Sequence, residues 1–209
     1  MTSEKPTVGL RGHRVRRPKH AEDRRQAVLL AAAKVFAKHG YWTTSIDQIA
    51  EELGLTKGSV YYYFSSKEDI FAEIQTSSLT AALDRLESAT ARGGPPAEVL
   101  RVAIAEQIRD VLEGLDQYAV LLRDPHVLSE DKQRALRAMQ RRYERTVQEV
   151  IERGISEGVF IRGNAKLMTF TLLRGSLGVA NWYAPGGSWT NDEIIAGVTN
   201  QLMRGILSI

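Results

Sequence analysis

The six prolines of this chain stand at Pro6, Pro18, Pro95, Pro96, Pro125 and Pro185, and the long stretches between them carry apolar residues at helical rather than strand spacing. That pattern predicts an all-α protein of about nine helices. The first is expected from about Ala21 to His39, where Val28, Ala32, Val35 and Phe36 form an i, i+4, i+7, i+8 stripe and Gly40 supplies the stop. Thr44 with Asp47 reads as a capping box that opens a second helix, with Ile46, Ile49, Ala50 and Leu53 facing inward and Gly54 ending it. Only Leu55 and Thr56 separate Gly54 from a third helix over Lys57 to about Phe64, so the two helices must meet at a steep angle, as in a helix-turn-helix.

Ser66 with Asp69 caps a long fourth helix through Ile70, Ile74, Leu79, Leu83 and Leu86, and Arg92-Gly93-Gly94-Pro95-Pro96 stops it. Further helices are expected near Ala97 to Leu115, Gln117 to Arg123, Ser129 to Glu157, Asn164 to Tyr183 and Thr190 to Leu207. The chain then divides into a basic arm over 1–20, a helix-turn-helix DNA-binding domain over 21–67, and a helical ligand-binding and dimerisation domain over 68–209.

Composition narrows the function. Cysteine is absent, which excludes disulfides, thiolate metal sites and cysteine nucleophiles and suits a reducing cytoplasm. The start of the chain lacks the apolar run of a signal peptide, and no stretch reaches the roughly 18 apolar residues that span a bilayer. His13, His20, His39 and His126 form no pair at ligand spacing, and neither paired carboxylates nor an activated serine appears, so no enzyme activity and no cofactor are expected. The formal charge of +3 is unevenly placed: Arg11, Arg14, Arg16, Arg17, Lys19, Arg24 and Arg25 crowd the N-terminus. Such an arm is drawn to phosphates or is a solvated tail.

On the short third helix, Val60 and Phe64 lie four apart as the buried stripe, which leaves Lys57, Gly58 and Tyr61 on another face, free to enter a major groove. Thr56 caps its N-terminus, and Gly58 permits close backbone approach. Ser59, Tyr62, Tyr63, Lys67 and Thr44 carry donors suited to phosphate oxygens, packing of a small core being the lesser alternative for Tyr63. The run from Ala31 to Phe71, AAAKVFAKHGYWTTSIDQIAEELGLTKGSVYYYFSSKEDIF, strongly resembles the DNA-binding domain of the TetR family of repressors. Its specific parts are Phe36, Gly40 and Tyr41, then Thr44-Ser45-Ile46, Ile49-Ala50, and the block Gly58 to Phe64 followed by Ser66-Lys67. The resemblance implies that Thr44, Lys57, Gly58, Ser59, Tyr61, Tyr62, Tyr63 and Lys67 hold the family's DNA-contacting positions.

The segment Lys166 to Tyr183 is apolar on nearly every side and is expected to be buried all round. Gly175, Ser176, Gly178 and Ala180 would let another helix approach, and the last helix offers Ala196, Gly197, Val198, Leu202 and Ile206. In TetR-like repressors the final two helices form a four-helix dimer interface, and this pair is similar; a two-fold dimer suits a palindromic double-stranded DNA operator. The turn Trp182-Tyr183-Ala184-Pro185-Gly186-Gly187, closed by Thr190 and Glu193 as a capping box, resembles the C-terminal domains of TetR-like repressors of fatty-acid and sterol catabolism, whose inducers are acyl-CoA thioesters. Such members often carry a further Trp in this helix, where Gly178 stands here.

Arg174 in so apolar a helix needs an anionic or carbonyl partner, either a ligand group or an internal glutamate. Phe170, Leu177, Met139 and Tyr143 are candidates for an adjoining ligand cavity or for plain core. The alternatives are a repressor that answers to an uncharged, hydrophobic, drug-like compound, and a ligand-independent architectural DNA-binding protein.

Overall fold

The structure is a computed structural model that describes residues 18–116, 118 and 127–208. Among these residues the order is α1 (Pro18–His39), α2 (Ile46–Glu52), α3 (Lys57–Tyr61), α4 (Lys67–Ala91), α5 (Pro96–Glu113), α6 (Glu130–Ser156), α7 (Ala165–Leu177), a 3-10 turn (Gly178–Asn181) and α8 (Asn191–Arg204). The helix expected over Gln117 to Arg123 and the arm over 1–17 lie outside the described residues, apart from Tyr118.

Two apolar cores divide the chain. The first packs Val28, Phe36, Ile49, Val60, Phe64, Ile70, Phe71 and Ile74. Phe36, Tyr41 and Phe71 meet in a ring cluster with centroids 5.0 to 5.9 Å apart, and burying each such side chain stabilises the unit by about 1.5 to 3 kcal/mol. Val127, Leu128 and Leu136, far along the chain, complete this core. The second core joins the later part of α4 to α5, α6, α7 and α8 through Leu83, Leu100, Ile104, Ile108, Val147, Ile151, Leu172 and Met203. Leu79 packs against both. Thus α4 enters one core with its first turns and the other with its last.

The helix ends follow their capping chemistry, with one shift of frame. Gly40 and Gly54 adopt φ of +86° and +63°, which terminates α1 and α2 where an L side chain would be strained. At α2 the cap is Ser45, not Thr44: Ser45 Oγ accepts from the Gln48 amide at 3.2 Å and Gln48 Oε1 accepts from the Ser45 amide at 2.7 Å. The reciprocal bond needs a side chain long enough to reach back, which Gln48 has and Asp47 lacks. Thr44 instead turns inward and donates to Gly40 O at 2.8 Å.

Two further expectations are corrected. The third helix ends at Tyr61, and Tyr62 to Phe64 leave it as a turn, while Phe64 still joins Val60 in the core. The segment after Asn164 is not buried all round in the single chain: the helix gives way to the 3-10 turn at Gly178, and Leu167 remains 65% exposed. Gly175 meets α8 of its own chain, since a Cβ there would lie 2.7 Å from Leu202 Cδ2.

Candidate functional site

The short α3 is presented on a rigid frame. Thr56 accepts from the Ser59 amide at 3.3 Å and caps it, while Val60 locks its inner side into the core. Outward stand Lys57, Gly58 and Tyr61, with Tyr62 72% exposed and Tyr63 half-buried against it at a ring distance of 4.9 Å. Tyr63 also packs on the first core, so its ring does both things the sequence left open. Lys57 Nζ donates to Asp47 Oδ2 at 2.7 Å, an exposed pair that holds the ammonium beside α2.

Two of the residues singled out from sequence are placed differently from their neighbours. Thr44 is 3% exposed and its hydroxyl is committed to Gly40, so the side chain is buried rather than presented beside α3. Lys67 Nζ donates to Tyr41 O at 2.7 Å and to Thr44 O at 2.6 Å and lies 4.2 Å above the Tyr41 ring. Burial lowers its pKa. Lys67 therefore ties the α1–α2 turn to the start of α4, with two of its three N–H groups already used.

The structure adds residues that helical periodicity did not single out. Arg24 shares a surface concavity with Leu55, Thr56, Gly58, Ser59, Tyr62 and Tyr63, which sets a guanidinium beside the hydroxyls around α3. Trp42, in the turn after α1, stands 73% exposed edge-on to Tyr41. Arg25, part of the same basic run as Arg24, is instead tied to Glu73 and stacks 4.5 Å from the Phe64 ring. Arg24 and Arg25, one residue apart, lie on different faces of α1, and only Arg25 is paired among the described residues.

A cavity of about 140 Å³ lies between α4, α5, α6 and α7. Its wall includes Ile74, Gln75, Asp110, Tyr143, Phe170 and Arg174. Of the five residues expected there, Arg174, Phe170, Leu177 and Tyr143 line it; Met139 does not, and its neighbour Gln140 takes that place on α6. Arg174 is exposed and makes no ion pair among the described residues, so the buried glutamate partner considered from sequence is not what holds it. Deeper in, burial raises the Asp110 pKa against the pull of Arg85, whose Nη2 lies 3.0 Å from Asp110 Oδ2. Burial pushes the Tyr143 phenol up to about 12, so it is a neutral hydroxyl at any physiological pH.

No group of three or more His, Cys, Asp or Glu side chains suited to a metal ion occurs among the described residues, and no helix among them is long and apolar enough to cross a membrane. A capped helix presented on one core and a cavity in the next, joined by one helix, define a DNA-binding regulator with a sensor domain. Comparison with known proteins agrees. Residues 28–74 match the model for bacterial regulatory proteins of the TetR family, and residues 93–206 match the tetracyclin repressor-like C-terminal domain. The chain belongs to the TetR family of transcriptional regulators and, like these relatives, is not an enzyme.

The HTH-type transcriptional repressor KstR2 of Rhodococcus jostii is 26% identical over 88% of this chain and 92% of its own length. A TetR/AcrR-family regulator from Thermobifida fusca is 32% identical, with a TM-score of 0.69 over 88% of this chain and 98% of that one. AibR, solved in complex with isovaleryl coenzyme A and operator DNA, shares the fold at 23% identity, with a TM-score of 0.73 over 86% of this chain and 98% of that one.

Proposed function

We propose that this chain is a homodimeric, cytoplasmic repressor that holds a palindromic operator and releases it when an acidic amphiphile, such as an acyl-CoA thioester, enters the cavity. The observation that carries the reading is the sharing of α4: its first turns pack in the DNA-binding core and its middle turn lines the cavity. A ligand that favours one position of α4 changes the spacing of two recognition helices in a dimer, and only such differential binding shifts the equilibrium.

On DNA, Tyr61, Lys57 and Gly58 face the groove, while Ser59, Tyr62, Tyr63 and Arg24 serve the phosphates, which position the protein without reading sequence. Lys67 contributes by fixing the turn and by its remaining N–H. Thr44 contributes through the backbone it holds rather than through its hydroxyl. A second copy is supported by the outward face of α7 and α8, where Leu167, Ala196 and Gly197 stand open; a Cβ at Gly197, or at Gly178 in the 3-10 turn, would meet nothing within 4 Å.

For the ligand, support comes from an apolar cavity with an exposed Arg174 at its edge, and from AibR, a fold relative solved with an acyl-CoA. The test is a displacement titration of the operator complex with acyl-CoA thioesters, free fatty acids and uncharged aromatic drugs. Release by thioesters at micromolar concentration is expected; release by the uncharged drugs alone would overturn the acyl-CoA reading.

A further inference from the structure

Buried polar groups are normally bonded within the fold, and Gln75 instead turns its carboxamide to the cavity wall. It sits on α4, is 8% exposed, and lines the cavity, yet its carboxamide has no hydrogen-bond partner among the described residues. The Tyr143 hydroxyl, across on α6, lines the same cavity and is likewise unpartnered there. By contrast, Gln107 on the same wall accepts from Ser176 Oγ at 2.7 Å, and the exposed Arg174 belongs to the rim.

The charges around the cavity say what kind of group would satisfy Gln75. Asp110 and Glu144 line it, and Arg174 is the one cation among the described lining residues. An anion placed deep inside, away from Arg174, would face Glu144 and an Asp110 whose charge is already paired with Arg85, whereas a neutral oxygen needs only a donor. The amide also sits where a bond has consequences: Ile74, one residue before it, both lines the cavity and belongs to the DNA-binding core.

We infer that Gln75 is a ligand-reading residue, whose carboxamide donates to a neutral carbonyl oxygen of the bound molecule while the anionic part of that molecule stays at the Arg174 rim. The inference rests on the reading of this cavity as the ligand site. A ligand bonded to Gln75 holds the turn of α4 that is packed into the DNA-binding core, so Gln75 serves recognition and transmission together.

The test uses the full chain and four probes: octanoyl-CoA, methyl octanoate, octanoic acid, and octyl-CoA, the thioether without the carbonyl oxygen. Melting temperature and operator release are both read, in wild type and in Gln75→Met, which keeps length and removes the amide. The carbonyl compounds should outperform octyl-CoA and octanoic acid by about tenfold in wild type, a loss of the size of one hydrogen bond. In Gln75→Met that advantage should disappear, and the unliganded variant should melt at or above the wild-type temperature. A fall in the unliganded melting temperature shows an amide bonded within the protein and overturns the inference, as does octanoic acid or the thioether acting as well as the carbonyl compounds. Methyl octanoate acting without octanoyl-CoA removes the thioester reading and leaves Gln75 supported. Should none of the probes act on wild type, the unliganded melting temperature alone decides, an equal or higher value supporting the inference and a fall overturning it.

Discussion

Lys132, in the first turn of α6, donates to Asp69 Oδ1 at 2.6 Å, so the sensor domain holds the start of α4 by an ion pair as well as by packing. Glu68 joins it, lying 3.4 Å from the same ammonium and accepting from the Ser129 amide at 2.9 Å. The Ser129 amide bond is the main cause lowering the Glu68 pKa from 4.5, and the Lys132 bond is the main cause lowering that of Asp69 from 3.8. Burial opposes the Lys132 charge, but its bonds and the two carboxylates outweigh that and raise its pKa.

Both carboxylates are depressed in the folded state, so their stabilisation is complete above about pH 4.5 and is lost as pH falls through the folded values. Lys132→Met is expected to cost about 0 to 1 kcal/mol at pH 7, since the pair is partly exposed. The difference in melting temperature from wild type should shrink as pH falls below the ordinary carboxylate range and these two groups take up protons. Thermal melts from pH 7 to pH 3 check this; a difference independent of pH would place the effect in packing instead.

On DNA, Tyr61→Ala should erode discrimination between operator and mismatched sites by about 1 to 3 kcal/mol. Arg24→Ala should weaken binding to all duplexes alike and reduce the salt slope by about 1. Lys67→Met should do something else as well: it removes the donor to Tyr41 O and Thr44 O, and so should lower the melting temperature. Anisotropy titrations at several salt concentrations, paired with melts, separate the three roles.

Leu202, offered by the last helix for the interface, is engaged within its own chain. Leu202 packs against Gly175 within one chain, so a charge there would damage the fold before it reached any interface. Leu167→Glu and Gly178→Arg act on open surface and should yield a folded monomer at micromolar concentration. Light scattering with circular dichroism reads both properties, and a wild-type monomer at that concentration would remove the basis for palindromic recognition.

Arg174→Met should weaken acyl-CoA binding by about tenfold, the worth of one charge-assisted bond, with little change in stability because Arg174 is exposed and has no ion pair among the described residues. Isothermal titration with octanoyl-CoA measures it. Unchanged affinity would leave Arg174 as a solvated rim residue.

Much of this was legible from periodicity and capping: the stripe of α1, the two-residue turn before Lys57, and the Thr190 box, in which Glu193 Oε2 accepts from the Thr190 amide at 2.7 Å. What escaped depends on contacts between residues far apart in sequence. The frame of the α2 cap was off by one because Thr44-x-x-Asp and Ser45-x-x-Gln overlap, and only the inward turn of Thr44 separates them. Lys67 looked free because the carbonyls it serves lie 23 and 26 residues away. Arg174 looked buried because an apolar helix facing a cavity and an open surface has the same composition as one in a core. Gln75 gave no signal at all, since one amide on a helix is ordinary until its surroundings are known.

The most direct test of the account is selection of genomic fragments by the purified full chain, followed by sequencing and by titration of the enriched site. The account predicts an inverted repeat with half-sites about one helical turn or a simple multiple apart, bound two chains per site with steep salt dependence. Recovery of fragments with no shared motif, bound with equal affinity whatever their sequence, would contradict it.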